Sequence, residues 1–478
     1  MTFLQHTLSY HHDSALLFER IKNDRWAMLL DSGQLVNPDT GGAGSQYGRY
    51  DILVAEPFIT VVTVGQKTTI TQQGVETELE ADPFSIVNQL LQQYPAHKTQ
   101  YPFAGGALGY FAYDLGRRIE KLESLAATAA DIPEMMLGFY DWAIVVDHRE
   151  KRSTLVSHGL NAATQANWAD LCAKFDAFVQ ITSNSEPFKV LSDIQSNLSE
   201  LQYQQAFAKV KNYIAAGDCY QVNLAQRFAA KVQGDGWQAY KKLRQISPAP
   251  FMAYMNLPLS ASENFQILSN SPERFLQIDG HHVETRPIKG TRPRSADPAR
   301  DLAYANELVT SVKDRAENVM IVDLLRNDIG KNCVVGSVKA DQLFQLQSFA
   351  NVHHLVSIIT GKLNKSATAV DLLKGCFPGG SITGAPKLRA MQIIEELEPH
   401  KRGLYCGAIG YIGFDGSMDT NIAIRSAVIV KNTLSFYAGG GIVADSIGEK
   451  EYKETLDKAS NLKAMLDFFN LRDKSSVS

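Results

Sequence analysis

The chain has 478 residues, 45% of them apolar, and a formal net charge of -4. That is material for about two to four domains with substantial cores, and it excludes a basic footprint for nucleic acid or anionic membrane. Its five cysteines are never spaced as CxxC, which argues against a disulfide framework or a structural zinc site and fits a reducing cytoplasm.

The opening stretch MTFLQHTLSYHHDS has no basic n-region followed by a long apolar run, so no signal peptide is expected. No window reaches the roughly 18 apolar residues of a membrane span. The first 180 or so residues alternate short apolar runs with turn-rich segments, a mixed α and β pattern. The runs WAMLLDSG (Trp26 to Gly33), FITVVTVG (Phe58 to Gly65) and WAIVVDH (Trp142 to His148) are strand candidates. LESLAATAADIPE (Leu122 to Glu134) has a loop composition, and the polar stretch from Thr182 to Glu200 is a candidate boundary. After it, LSELQYQQAFAKVKNYIAAGD is patterned as an amphipathic helix with Ser199 as N-cap and Gly217 as stop. Helices and short strands continue to about Leu466, and the tail LRDKSSVS is expected to fray.

The second half carries the residues suited to chemistry. In RPIKGTRPR, Lys289 lies between Ile288 and Gly290 with Arg286, Arg292 and Arg294 close in sequence. An apolar, cationic setting favours a neutral, nucleophilic lysine. The segment KDRAENVMIVDLLRNDIG reads as a helix that projects Asp314 and Glu317 from one face. His353 and His354 are adjacent, so in a strand only one can face a given site. FPGGSITGAPK leads into a helix, with Thr383 placed to cap it and Pro386 in its first turn. In GGGIVADSIGEKEYKET, Ser446 and Glu449 have capping-box spacing, and Glu451 and Glu454 share a helical face. Two acidic pairs on two helices suit a hard cation such as magnesium; equally, carboxylates three apart are what a solvated helix face presents.

Taken together, these segments resemble the chorismate-utilising enzyme family, which includes the anthranilate, isochorismate and salicylate synthases. The resemblance runs from Leu198 to Leu466. It rests on PIKGTRPR, DRAEN-MIVDL-RNDIG, HLVS (His354 to Ser357), FPGGSITGAPK, YCGAIGY (Tyr405 to Tyr411), the IR of NIAIRSA, GGGIVADS and EYKET–KA. It implies a four-layer α/β/β/α fold with two large, mainly antiparallel sheets. Residues 198–466 would form the chorismate-binding catalytic domain, and residues 1–185 a companion region that packs intimately on it and docks a partner. Lys289 resembles the members that aminate carbon 4 of chorismate on the folate branch; anthranilate synthases resemble this segment but carry alanine there.

The resemblance further implies that Glu317 and Glu454 hold Mg2+, with Asp314 and Glu451 acting through water. Gly290, Thr291, Thr383, Gly384 and Ala385 would surround the ring carboxylate. Tyr405, Arg425, Gly439, Gly440, Gly441 and Lys458 would receive the enolpyruvyl carboxylate. Lys289, Glu273 and His354 would be catalytic. Ammonia would come from a separate glutamine amidotransferase subunit, since no GxCxG elbow surrounds any cysteine. Leu30, Asp31 and Ser32, with Pro250, Phe251 and Met252, resemble the walls of a pocket that binds tryptophan in relatives.

Overall fold

A computed structural model describes residues 3–33, 48–94, 97–176, 185–260, 262–349 and 352–470. The first three residues of the boundary candidate and the tail LRDKSSVS lie outside this set. Two antiparallel sheets dominate, of 13 and 12 strands among the described residues. Strand periodicity explains how they stack. In the paired strands Ala27–Asp31 and Tyr50–Val54, Met28, Ile52 and Val54 face one way, while Leu29 and Leu53 face the other. The first set joins Leu108, Tyr110, Met136 and Ile409 of the second sheet in a core between the sheets. The second set packs against Phe18, Trp237, Tyr240, Leu462 and Met465 on the outside of the first sheet. On the outer side of the second sheet, helices Pro83–Gln92, Val312–Gly330 and Ala369–Cys376 supply Phe84, Ile321 and Leu373 to a third core. Four layers, α/β/β/α, result. No described helix is long and apolar enough to cross a membrane.

In both sheets the strands from the first part of the chain form one block and the later strands another, and the two blocks join at a single seam. In the first, Ala27–Asp31 pairs with Phe251–Pro258, next to Asn264–Ser271, Ser426–Val430 and Thr433–Ile442. In the second, Gly106–Phe111 pairs with Ala408–Gly413. The polar stretch before Glu200 is not a bare linker: Lys189–Val190 and Gln195–Ser196 both pair with the long strand Gln221–Gln233. The helix after it starts where the sequence placed it, at Glu200, with Ser199 and Gln202 closing a capping box.

Two expected caps are not formed. Helix Gly448–Phe468 starts after Ile447 with no side-chain cap; the Ser446 hydroxyl instead donates to Glu451 at 2.6 Å. Helix Lys387–Leu397 starts after Pro386. Thr383 lies too far upstream to cap it, and its hydroxyl donates back to the Gly379 carbonyl at 3.0 Å.

One side chain joins these layers at the site. Arg402, with 1% of its side chain exposed, ion-pairs with Glu398 at 2.7 Å. It also donates to the carbonyls of Ile382 (3.0 Å) and Asn223 (2.9 Å), and its guanidinium lies over the rings of Tyr113 and Tyr405. Removing one partner of a buried ion pair strands the other charge, at a cost of about 3–5 kcal/mol. Arg402→Leu should therefore lower unfolding free energy in urea by about that amount. A loss below about 1 kcal/mol would show that the pair does not hold the layers together.

Candidate active site

Strand Ile288–Pro293 pairs with Val352–Lys362, and the register slips between Ile288 and Thr291. Gly290 occupies the slip at φ +87°, where a Cβ would lie 2.8 Å from Leu308 and 3.1 Å from Asp314. Both the backbone angle and the space demand glycine. The bulge leaves Lys289 half-buried and within electrostatic reach of Glu273 and Glu454. Thr291 Oγ1 and His354 Nδ1 are 2.9 Å apart. Burial, reinforced by the positive charge of Arg425, pushes the His354 imidazole down to about 3, so it is neutral at physiological pH. His353 turns away to Ser348 and Asp301, as strand alternation requires.

The three arginines expected around Lys289 are matched elsewhere. Arg286 pairs with Glu284, Arg292 with Glu307 and Asp314, and Arg294 with Asp301. Each guanidinium is held by its own carboxylate, so the cationic setting inferred from adjacency does not form. The positive groups that do converge with Lys289 on Glu273 are Lys458 and Arg425, both far away in sequence.

Glu273 lies between strands Asn264–Ser271 and Arg274–Asp279 and is 6% exposed. Burial raises its carboxyl to about 7 against the pull of Ser381, Lys289, Lys458 and Arg425. A carboxyl held there is half protonated near neutrality and can serve as a general acid. Arg425 adopts φ +50°; its carbonyl accepts from the Asn270 amide at 3.0 Å, while its guanidinium makes no hydrogen bond or ion pair with the described residues. A half-buried guanidinium without a protein acceptor is a place for a ligand carboxylate. Tyr405 stacks on Tyr437 with ring centroids 5.4 Å apart, and Arg402 lies over its ring.

Gly439, Gly440 and Gly441 end the strand Thr433–Ile442, in register with Ala225, Leu224 and Asn223. Lys458 donates to the Gly439 carbonyl at 3.0 Å and pairs with Glu454 at 2.6 Å. A Cβ on Gly440 would lie 3.1 Å from a Glu451 oxygen and 3.3 Å from a Glu454 oxygen, so both carboxylates close on that one glycine. Gly384, at φ +145°, leaves no room for a Cβ beside the Gln221 carbonyl and, with Ala385, pairs with the strand Gln221–Gln233. Thr383 is fully buried and its carbonyl accepts from the Asn223 amide.

On helix Val312–Gly330, Asp314 pairs with Arg292 at 3.1 Å and Glu317 with Lys313 at 3.7 Å. Lys313 also acts on Glu451 and Glu454, which places the two acidic helix faces together. Among the described residues no group of three His, Cys, Asp or Glu side chains is placed to hold a metal ion. Magnesium does not need one: it keeps several waters and takes one or two carboxylates plus ligand oxygens. The Glu451–Glu454 cradle at Gly440, linked to Glu317 through Lys313, fits such an open donor set.

The residues expected to form the tryptophan pocket come together elsewhere. Asp31 accepts from Tyr240 at 3.0 Å and ion-pairs with Arg244, while Ser32 donates to Asp51 at 2.7 Å. Leu30 and Met252 flank them on paired strands, Pro250 is buried, and Phe251 stacks under Arg274. A cleft of about 650 Å³ near Lys331, Lys374 and Lys387 contains none of the expected site residues. Its lysines are engaged by Asp328 and Asp82, so the site is defined by converging charge rather than by volume.

This chain belongs to the chorismate-binding enzyme family, whose pattern matches residues 45–464. It is 47% identical to aminodeoxychorismate synthase component 1 of Escherichia coli strain K12, over 96% of this chain and 98% of that protein. It is 37% identical to anthranilate synthase component 1 of Bacillus caldotenax, over 87% of this chain and 86% of that one. Among solved structures, anthranilate synthase component I from Streptococcus pneumoniae superposes with a TM-score of 0.75 at 30% identity, covering 88% of this chain and 92% of that one. The menaquinone-specific isochorismate synthase of Escherichia coli shares the fold, with a TM-score of 0.72 at 18% identity, over 97% of this chain and 94% of that one.

The buried acid has a thermodynamic signature. Glu273 ionises near 4.5 when unfolded and at about 7 when folded. Between those values the unfolded chain has released a proton that the folded chain retains. Stability present below pH 4.5 is therefore lost as the pH rises towards 7, by about 3 kcal/mol from this group. Glu273→Gln should escape that loss, so its stability relative to wild type should grow by about 2–3 kcal/mol between pH 4.5 and 7.5. A difference that stays flat with pH contradicts a buried neutral acid.

Proposed function

We propose that this chain is the chorismate-aminating component of an aminodeoxychorismate synthase, with Lys289 as nucleophile and Glu273 as general acid. The observation that carries this reading is the meeting of Lys289, from a bulged strand, with a buried carboxyl raised to about 7. The identity with the named relatives supports the same assignment. Ammonia is supplied by a separate glutamine amidotransferase subunit, and the chain works in the cytoplasm.

The Lys289 amine attacks ring carbon 2 of chorismate. The ring double bonds shift, and the carbon 4 oxygen departs as water with the proton of Glu273. Ammonia then adds at carbon 4 and expels the lysine, giving 4-amino-4-deoxychorismate. Arg425 and the amides at Gly439 to Gly441 receive the enolpyruvyl carboxylate, with Tyr405 and Lys458 beside them. Gly290, Thr291, Gly384 and Ala385 line the ring carboxylate subsite. Neutral His354 is held on Thr291 and lines the pocket without adding charge. Glu317 and Glu454, with Asp314 and Glu451 through water, would hold Mg2+, which when bound would neutralise the ring carboxylate and make the ring a better electrophile.

Chorismate given without ammonia should leave a chorismate-derived mass, less one water, on the peptide carrying Lys289. Lys289→Ala should lose that adduct and most aminodeoxychorismate formation. Normal turnover by Lys289→Ala would refute covalent catalysis.

The cradle at Gly440 gives a separate test. Gly440→Ala pushes the Glu451 and Glu454 carboxylates back by a few tenths of an ångström. It should weaken Mg2+ binding by about tenfold in calorimetry while the melting temperature stays within a few degrees. Unchanged Mg2+ affinity would remove these two carboxylates from the metal site.

A further inference from the structure

We infer that Ser381 is a positioning residue for the acid: its hydroxyl holds one oxygen of Glu273 and leaves the proton on the other, facing the departing group. This rests on the reading of Glu273 as general acid.

The geometry is built from both sides. The Ser381 hydroxyl donates to Glu273 Oε1 at 3.0 Å, and both residues are more than nine-tenths buried. A hydrogen bond donated to Oε1 favours keeping that oxygen as an acceptor, so a neutral carboxyl carries its proton on Oε2. Oε2 makes no hydrogen bond with the described residues. The backbone of Glu273 is tied to Ile422. Its N–H donates to the Glu273 carbonyl at 3.0 Å, and its carbonyl accepts from Ser271 Oγ, which in turn receives the Glu273 N–H. On the serine side, a Cβ on Gly379 would lie 2.8 Å from Ile422 Cδ1, and one on Gly380 would lie 2.6 Å from Leu324. Glycines at these two positions let the loop lie close to Ile422 and to the helix Val312–Gly330. Arg402 then fixes Ile382, the residue after Ser381, through its carbonyl. The serine is thus held to a carboxyl with little freedom on either side, as a proton donor with one productive direction requires.

The charged and titratable groups facing Glu273 are Lys289, Lys458, Arg425 and Cys406. All stay in place when Ser381 changes, so the effect of the hydroxyl can be isolated. It stabilises the carboxylate. Its removal should make the acid harder to ionise while leaving it less well aimed. The rate should therefore fall while the alkaline limb of the pH profile moves upwards, a combination that loosened packing does not produce.

The test uses the purified full chain with Mg2+, chorismate and a fixed concentration of free ammonia at each pH, with the amination product quantified. Ser381→Ala should lower kcat by about 10- to 100-fold, with the KM for chorismate changed less than about threefold. The alkaline limb of kcat should rise by about half to one pH unit. Ser381→Thr, which restores the hydroxyl, should recover most of the rate and return the limb to its wild-type position. Should the alanine variant fail to fold, Ser381→Cys keeps the shape with a weak donor and serves the same comparison. An unchanged kcat, or a fall with the limb unmoved, overturns the inference, provided Glu273→Gln is inactive in the same assay. A fully active Glu273→Gln overturns the acid reading itself.

Discussion

The interior of this enzyme is organised around a guanidinium. Arg402 gives two hydrogen bonds to Glu398 and one each to carbonyls from the long central strand and the glycine loop. The same Glu398 accepts from the Ala225 amide. A buried charge must have its donors satisfied, and here satisfying them joins a strand of one sheet, the loop above it and the rings of Tyr113 and Tyr405. Once those elements are fixed, the positions of Thr383, Gly384 and Ser381 follow from bond lengths rather than from any further choice.

The site itself balances two opposed effects on one carboxyl. Burial alone would make Glu273 a poor acid at neutral pH, and three cations alone would ionise it outright. The balance puts it at about 7. In the proposed mechanism two of those cations, Lys289 and Arg425, also attack and bind the substrate, so the groups assigned to substrate are the ones that tune the acid. His354 shows the complementary use of the same surroundings: a base in a cationic, water-poor pocket stays neutral and adds nothing to the charge.

Much of this was legible in the sequence, and the exceptions have a common cause. Local signals held: the N-cap at Ser199, the helix carrying Asp314 and Glu317, and the opposite facing of His353 and His354. Inferences from neighbours along the chain did not hold where long-range partners intervened. The arginines flanking Lys289 were claimed by Glu284, Asp301, Glu307 and Asp314. Ser446 was drawn to Glu451 instead of its own helix end. Arg402 and Ser381 escaped notice because their roles depend on residues more than 100 positions away. The four-layer fold came from resemblance alone, since no periodicity shows which strands pair across some 220 residues, as Leu30 and Ala253 do.

That pairing also bears on how the protein is made. The strand Ala27–Asp31 leaves the ribosome long before Phe251–Pro258, and Gly106–Phe111 long before Ala408–Gly413. Until these later strands are synthesised, the earlier ones expose open edges and apolar faces to the surrounding solution. Neither sheet can therefore be completed until the later strands have left the ribosome. Because one seam in each sheet joins the two ends of the chain, neither block of strands has its full set of backbone partners without the other.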